Sequence, residues 1–199
     1  MREIKWSGLN SVDLSEVRRR AHVMQRISAA ERLNRGGVEL IGWDSGSGDW
    51  AVWTFSKDGQ AMLLVFDHES KLNLYGDYDV AAQMGMYTGL PETLLTPVRG
   101  MSEDDGFLMM GDGPAAMPAA SGVFWFDGSQ WRVAEGLLEL VEARGLDITS
   151  DSGFGYCTSW YRFDGEFTPE SLCADDAEDR WGTDLRQLRE IFAETTRSA

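Results

Sequence analysis

The chain has 199 residues and a mass of 22.2 kDa, with 43% apolar residues, enough to build a packed core in one domain. Its 33 acidic and 18 basic residues give a formal charge of -15, which argues against a protein that neutralises the phosphates of duplex nucleic acid and favours a basic or neutral partner. No apolar run reaches the roughly 18 residues of a membrane span, and the start Met1-Arg2-Glu3-Ile4-Lys5-Trp6 lacks a signal-peptide core, so the expectation is a cytoplasmic protein that contacts no membrane.

Residues 13–33 predict a first long helix, because Leu14, Val17, Ala21 and Met24 recur at three- and four-residue steps. Asp13 with Glu16 marks its start and Gly36-Gly37 its end, and its polar face carries Arg18, Arg19 and Arg26. Such a face is best read as pairing with acids elsewhere on an acidic protein. Strands follow at 38–43, 50–55 and 61–66, with Lys57-Asp58-Gly59 turning a hairpin between the last two. Both faces of 61–66 are apolar, which places that strand in the middle of a sheet covered on both sides. Two short helices are predicted at 77–90 and 91–98, the first weakened by Gly85 and Gly89 and the second opened by Pro91 and Glu92. The stretch 99–120, rich in Gly and Pro and with Glu103-Asp104-Asp105 inside it, predicts a long mobile loop.

Beyond it, an aromatic run followed by Asp-Gly occurs at Val123-Phe124-Trp125-Phe126 and at Trp160-Tyr161-Arg162-Phe163, and both are read as strands entering hairpin corners. Ala134, Leu137, Leu138 and Val141 share a helical face that Gly145 ends, and a last helix runs from 184 to about 194 behind Thr183. Helices and strands mix without a βαβ rhythm. The fold class is therefore α+β, a mostly antiparallel sheet with helices packed on it and helices at both ends of the chain, in a single domain over 1–199 where the 99–120 loop is the one place two subdomains would divide.

The densest chemical group is Asp67-His68-Glu69 at the end of the central strand, an imidazole between two carboxylates that would suit a general base or a metal ligand if the chain bends there. The alternative is a strand-end turn whose side chains bond the backbone of 70–73. The zinc-peptidase pattern fails because Leu72 stands where its second histidine belongs, and no P-loop or nucleophile elbow is present. Cys157 and Cys173 form neither a disulfide framework nor a zinc pattern. The sequence thus argues against an enzyme and implies no cofactor.

What remains is acid and aromatic. Residues 1–35 hold eight basic against four acidic residues, which leaves 36–199 with a net charge of -19. Carboxylates gather at Glu166, Glu170, Asp175, Asp176, Glu178 and Asp179, and again at Glu103, Asp104 and Asp105, and these are the candidate partner-binding residues. Eight Trp, five Tyr and nine Phe add possible interface anchors to an otherwise aromatic core. A small, acidic, tryptophan-rich α+β protein without a catalytic set resembles, in general character, the immunity proteins that bacteria make against secreted toxins. Leu90-Pro91-Glu92 is similar to the Leu-Pro pair of one large immunity superfamily, although here it follows the strands. The resemblance implies stoichiometric binding that blocks a basic toxin, and it assigns no residue roles. The competing reading is a metal-dependent hydrolase or small-ligand-binding protein using Asp67, His68 and Glu69.

Overall fold

The structure is a computed structural model that describes residues 5–28, 32–35, 37–175 and 184–198. It is α+β. A six-stranded antiparallel sheet runs in the order β1-β2-β3-β4-β7-β8, built from β1 (Arg32–Arg35), β2 (Val38–Asp44), β3 (Trp50–Phe55), β4 (Ala61–Phe66), β7 (Gly122–Phe126) and β8 (Trp131–Val133). A two-stranded ribbon, β5 (Met109–Met110) with β6 (Met117–Pro118), lies in the connection between β4 and β7.

The helix α1 (Leu14–Ile27) stops six residues short of the sequence expectation. Its apolar stripe finds polar Ser28 and Glu31 at the next places, so a longer helix would bury nothing more, and residues 32–35 gain a ladder with β2 instead, Leu33 opposite Leu40. All six residues of β3 and of β4 are buried, as the two-sided apolar pattern of 61–66 requires. Opposed residues of an antiparallel ladder share a face, so Ile41, Trp53, Leu63, Phe124 and Val133 form one row on the side that α1 covers. Leu40, Val52, Leu64 and Val123 lie on the other face.

The α1 side is completed by the C-terminal helices α5 (Ile148–Asp151), α6 (Phe154–Thr158), α7 (Pro169–Asp175) and α8 (Leu185–Ser198). Residues 160–163 are not a strand. A 3-10 turn, Ser159–Tyr161, follows α6, and Arg162 takes a left-handed φ of 49°. The aromatic alternation there serves packing: Tyr161 and Phe163 stack on each other and both meet the Trp53 ring edge-on. The other Asp-Gly corner does turn a hairpin, from β7 into β8, with the Asp127 carboxylate accepting the N–H groups of Ser129 and Gln130.

The helix α2 (Val80–Met86) is shorter than 77–90 and is capped by Asp79, whose carboxylate accepts the Ala82 N–H, while α3 (Glu92–Arg99) starts after Pro91. The helix α4 (Glu135–Arg144) ends at Gly145 in the left-handed region. It crosses α2 at backbone contact: a Cβ on Gly136 would sit 1.8 Å from the Gly85 carbonyl oxygen, so only glycine permits the crossing. Residues 99–120 do not form one plain loop. They carry two 3-10 turns and the ribbon, and Met101, Met110, Met117, Ala119 and Ala120 are buried. The predicted cap Thr183 lies outside the described residues; α8 begins at Leu185. Among the described residues no helix is long and apolar enough to cross a membrane.

Candidate functional site

The strand β4 ends at Phe66, and the chain bends sharply after it. The Asp67 carboxylate accepts the Glu69 N–H, the Ser70 N–H bonds the Asp67 carbonyl, and the Ser70 hydroxyl accepts the Leu72 N–H. This is the strand-end turn that the sequence offers as the alternative to a catalytic group. The bend nevertheless assembles a cluster, with a member the sequence reading missed. The β3–β4 register sets Trp50 opposite Phe66, which brings Asp49 against the start of the turn. Asp49 is buried, and its Oδ1 accepts both the His68 backbone N–H at 3.0 Å and the ring Nδ1 at 2.6 Å. Its Oδ2 accepts the Ser45 hydroxyl at 3.2 Å. Ligand-type atoms of Asp49, Asp67 and His68 all lie within 4.8 Å of one another. Glu69 points to solvent, with Oε1 4.0 Å from His68 Nε2.

The electrostatics follow from this geometry. The hydrogen bond and charge of Asp49 raise the His68 pKa above its ordinary 6.5. Burial raises Asp67 above the usual carboxylate value, the Glu69 N–H opposing and the Asp49 charge adding to the rise. A buried carboxylate that fixes Nδ1 leaves Nε2 outward, able to exchange a proton. Among the described residues no free nucleophile stands beside it: Ser45 is engaged on Asp49, the Ser70 hydroxyl donates to the Asp151 carbonyl, and Cys157 is buried, which pushes its thiol well above its ordinary value. Cys173 is exposed and free.

The candidate partner-binding acids fall into groups that the sheet separates. Glu170 pairs with Arg189 at 2.9 Å, Asp175 pairs with Arg162, and Glu166 is exposed nearby. These lie on the α1 side, where Phe167 meets Phe192 and the Arg19 and Arg20 guanidinium groups sit over Phe167. Asp176, Glu178 and Asp179 lie outside the described residues. Glu103, Asp104 and Asp105 lie over the other face of the sheet: Asp104 and Asp105 line a groove of about 360 Å³ with Leu40, Trp50 and Phe107. Asp105 is spent on a capping box with Ser102, whereas Glu103 and Asp104 are exposed. A larger groove of about 670 Å³ runs along the β2–β3 turn between Trp43, Asp44, Tyr156 and Trp160, and no lysine or arginine among the described residues lines either one.

The arginines of α1 do not make a free basic face. Arg18 reaches Glu39 at 2.7 Å, Arg19 and Arg20 both hold Glu16, and Arg26 pairs with Glu194. Burial alone would raise the Glu16 carboxyl, but the bonds from Arg19 and Arg20 bring it below its ordinary value. Among the described residues Trp43, Trp50, Trp53 and Trp131 are buried and Trp6, Trp125 and Trp160 are partly buried, so none is a fully exposed anchor. Among the described residues the exposed aromatic side chains are tyrosines, Tyr75, Tyr78 and Tyr156, a class that a count of aromatic residues does not single out. No protein-family model, curated protein or solved structure matches the chain.

Proposed function

We propose that this chain is an acidic, cytoplasmic protein-binding protein that engages a basic protein partner in stoichiometric amounts, in the manner of an immunity protein that neutralises a basic toxin. The observation that carries the reading is the disposition of charge. Among the described residues the dense group of positive side chains on α1 is matched by Glu16, Glu39 and Glu194, so it offers no free basic face, and the formal charge of -15 leaves carboxylates in excess for a partner. Potentials of that kind speed encounter with a cationic surface and discourage nucleic acid. The test is affinity capture on the full chain at low and high salt, followed by calorimetry with the purified partner. One basic protein bound 1:1 and released by salt supports the reading; partners that are neutral or acidic overturn it.

A second reading has one observation in its favour, the convergence of Asp49, Asp67 and His68. Two carboxylates and an imidazole form a donor set suited to a divalent transition metal, and such a site would serve a hydrolase or a small-ligand-binding protein. Titration of the metal-free chain with Zn²⁺ tests it. Uptake of one equivalent that is lost in His68→Ala supports it, and no uptake excludes it.

A further inference from the structure

We propose that the turn at residues 75–79 is the surface on which an arginine-rich face of the basic partner docks, with Tyr75 and Tyr78 receiving guanidinium groups and Asp77 and Asp79 supplying the opposite charge. The inference rests on the acidic-binder reading and gives it an address.

Two of the three exposed tyrosines among the described residues fall in this one turn, while the third, Tyr156, lines the groove along the β2–β3 turn. Tyr75 and Tyr78 are 37% and 54% exposed, whereas the described residues keep four of their tryptophans in the core. Asp77 and Asp79 are exposed and flank Tyr78 in the chain. Asp79 spends Oδ1 on the Ala82 N–H, and neither Asp77 nor Asp79 forms an ion pair among the described residues. The nearest basic residue in the chain, Lys71, is held by Asp151 at 2.9 Å. The other acidic groups each differ in one respect: Glu170 and Asp175 already carry arginines, and the segment of Glu103 and Asp104 contains no exposed aromatic residue.

The turn is also held in place. Leu72 and Leu74 are buried immediately before it, the Tyr78 N–H bonds the Tyr75 carbonyl at 3.2 Å, and the Asp79 N–H bonds the Leu74 carbonyl at 3.1 Å. Rings presented on a fixed backbone lose little freedom on binding. Tyrosine beside a carboxylate suits arginine more than lysine, because a planar guanidinium stacks on a ring while its edge forks to an oxygen.

The experiment uses the full chain labelled with ¹⁵N and titrated at low salt with octa-arginine, with octa-lysine for comparison. The expected result is saturable shifts centred on 75–79 and tighter binding of octa-arginine. Tyr75→Ala and Tyr78→Gly should each weaken it by roughly two- to fivefold, the range for one exposed cation–π contact. Glycine at 78 suits the backbone there, whose φ is 51°, so the ring is removed without disturbing the turn. Glu139→Gln, exposed on α4, should leave the affinity unchanged. Shifts centred on 103–105 or 166–175, equal affinity for the two peptides, or indifference to the tyrosine variants would overturn the docking surface while leaving an acidic binder. Failure of both peptides to bind would remove the acidic-binder reading as well.

Discussion

The face of α1 and the segment 67–79 are both rich in charge, and they use it in opposite ways. On α1 each described arginine meets a carboxylate of the same chain, and Arg20, only 9% exposed, also donates to the carbonyls of Tyr161 and Arg162. Charge there ties the first helix to the C-terminal helices. In 67–79 the carboxylates outnumber their partners: His68 is shared among Asp49, Asp67 and Glu69, and Asp77 has no cation among the described residues. A protein with a formal charge of -15 must leave many acids unmatched, and on the proposed docking it is exposure beside tyrosines that sets a binding surface apart from a solvated one.

The sharpest way to break the contrast is Arg20→Ala. It leaves two carbonyls without their donor and removes the guanidinium from over Phe163 and Phe167, so unfolding should be easier by about 3 kcal/mol, or about 6–12 °C in Tm, without changing the acidic surface. Thermal denaturation measures it. Gly153→Ala acts on the other region. Its Cβ would lie 2.3 Å from the Asp67 Cβ, at a φ of 76°, so a loss of about 2 kcal/mol together with a moved His68 resonance is the expected outcome. An unshifted His68 would show that the bend absorbs the methyl group.

Smaller effects test the unmatched charge itself. Asp77→Asn should slow association with a basic partner by about twofold at low salt and have little effect at high salt, as stopped-flow measurement would reveal. The His68 ring should titrate above 6.5 by NMR and return toward that value in Asp49→Asn. Because its folded pKa is raised, the His68–Asp49 pair contributes stability fully below about 6.5 and loses it as pH rises through the folded value. Denaturation across that window should show the loss in the native chain and not in His68→Gln.

Much of this architecture is legible in the sequence because local and global preferences agree. The strands expected at 38–43, 50–55 and 61–66 announce themselves as short apolar runs, the last two around an Asp-Gly turn, and α4 by its stripe and Gly145. The failures lie where tertiary contact outweighs pattern. The helix expected to reach residue 33 gives way to a ladder of 32–35 with β2, and Trp160 to Phe163 alternate like a strand while packing as an aromatic stack over Trp53. Short β8 carries only three residues of signal. Asp49 sits 19 positions from His68, yet hairpin register alone pairs 50 with 66 and would have brought 49 to 67. The tyrosines at 75 and 78 went unnoticed because composition counts rings without saying which are buried.

The strand order has a consequence for the order of events at the ribosome. The first four strands are neighbours in sequence, but the outer edge of Ala61–Phe66 is closed only by Gly122–Phe126. At about 5–20 residues per second, the 60 residues from Phe66 to Phe126 take roughly 3–12 s to emerge. For that interval the most apolar strand of the sheet has an open hydrogen-bonding edge, the feature that recruits stray strands. The acidic segment made immediately after it, from Asp67 to Asp79, is synthesised in time to keep such nascent chains apart by repulsion.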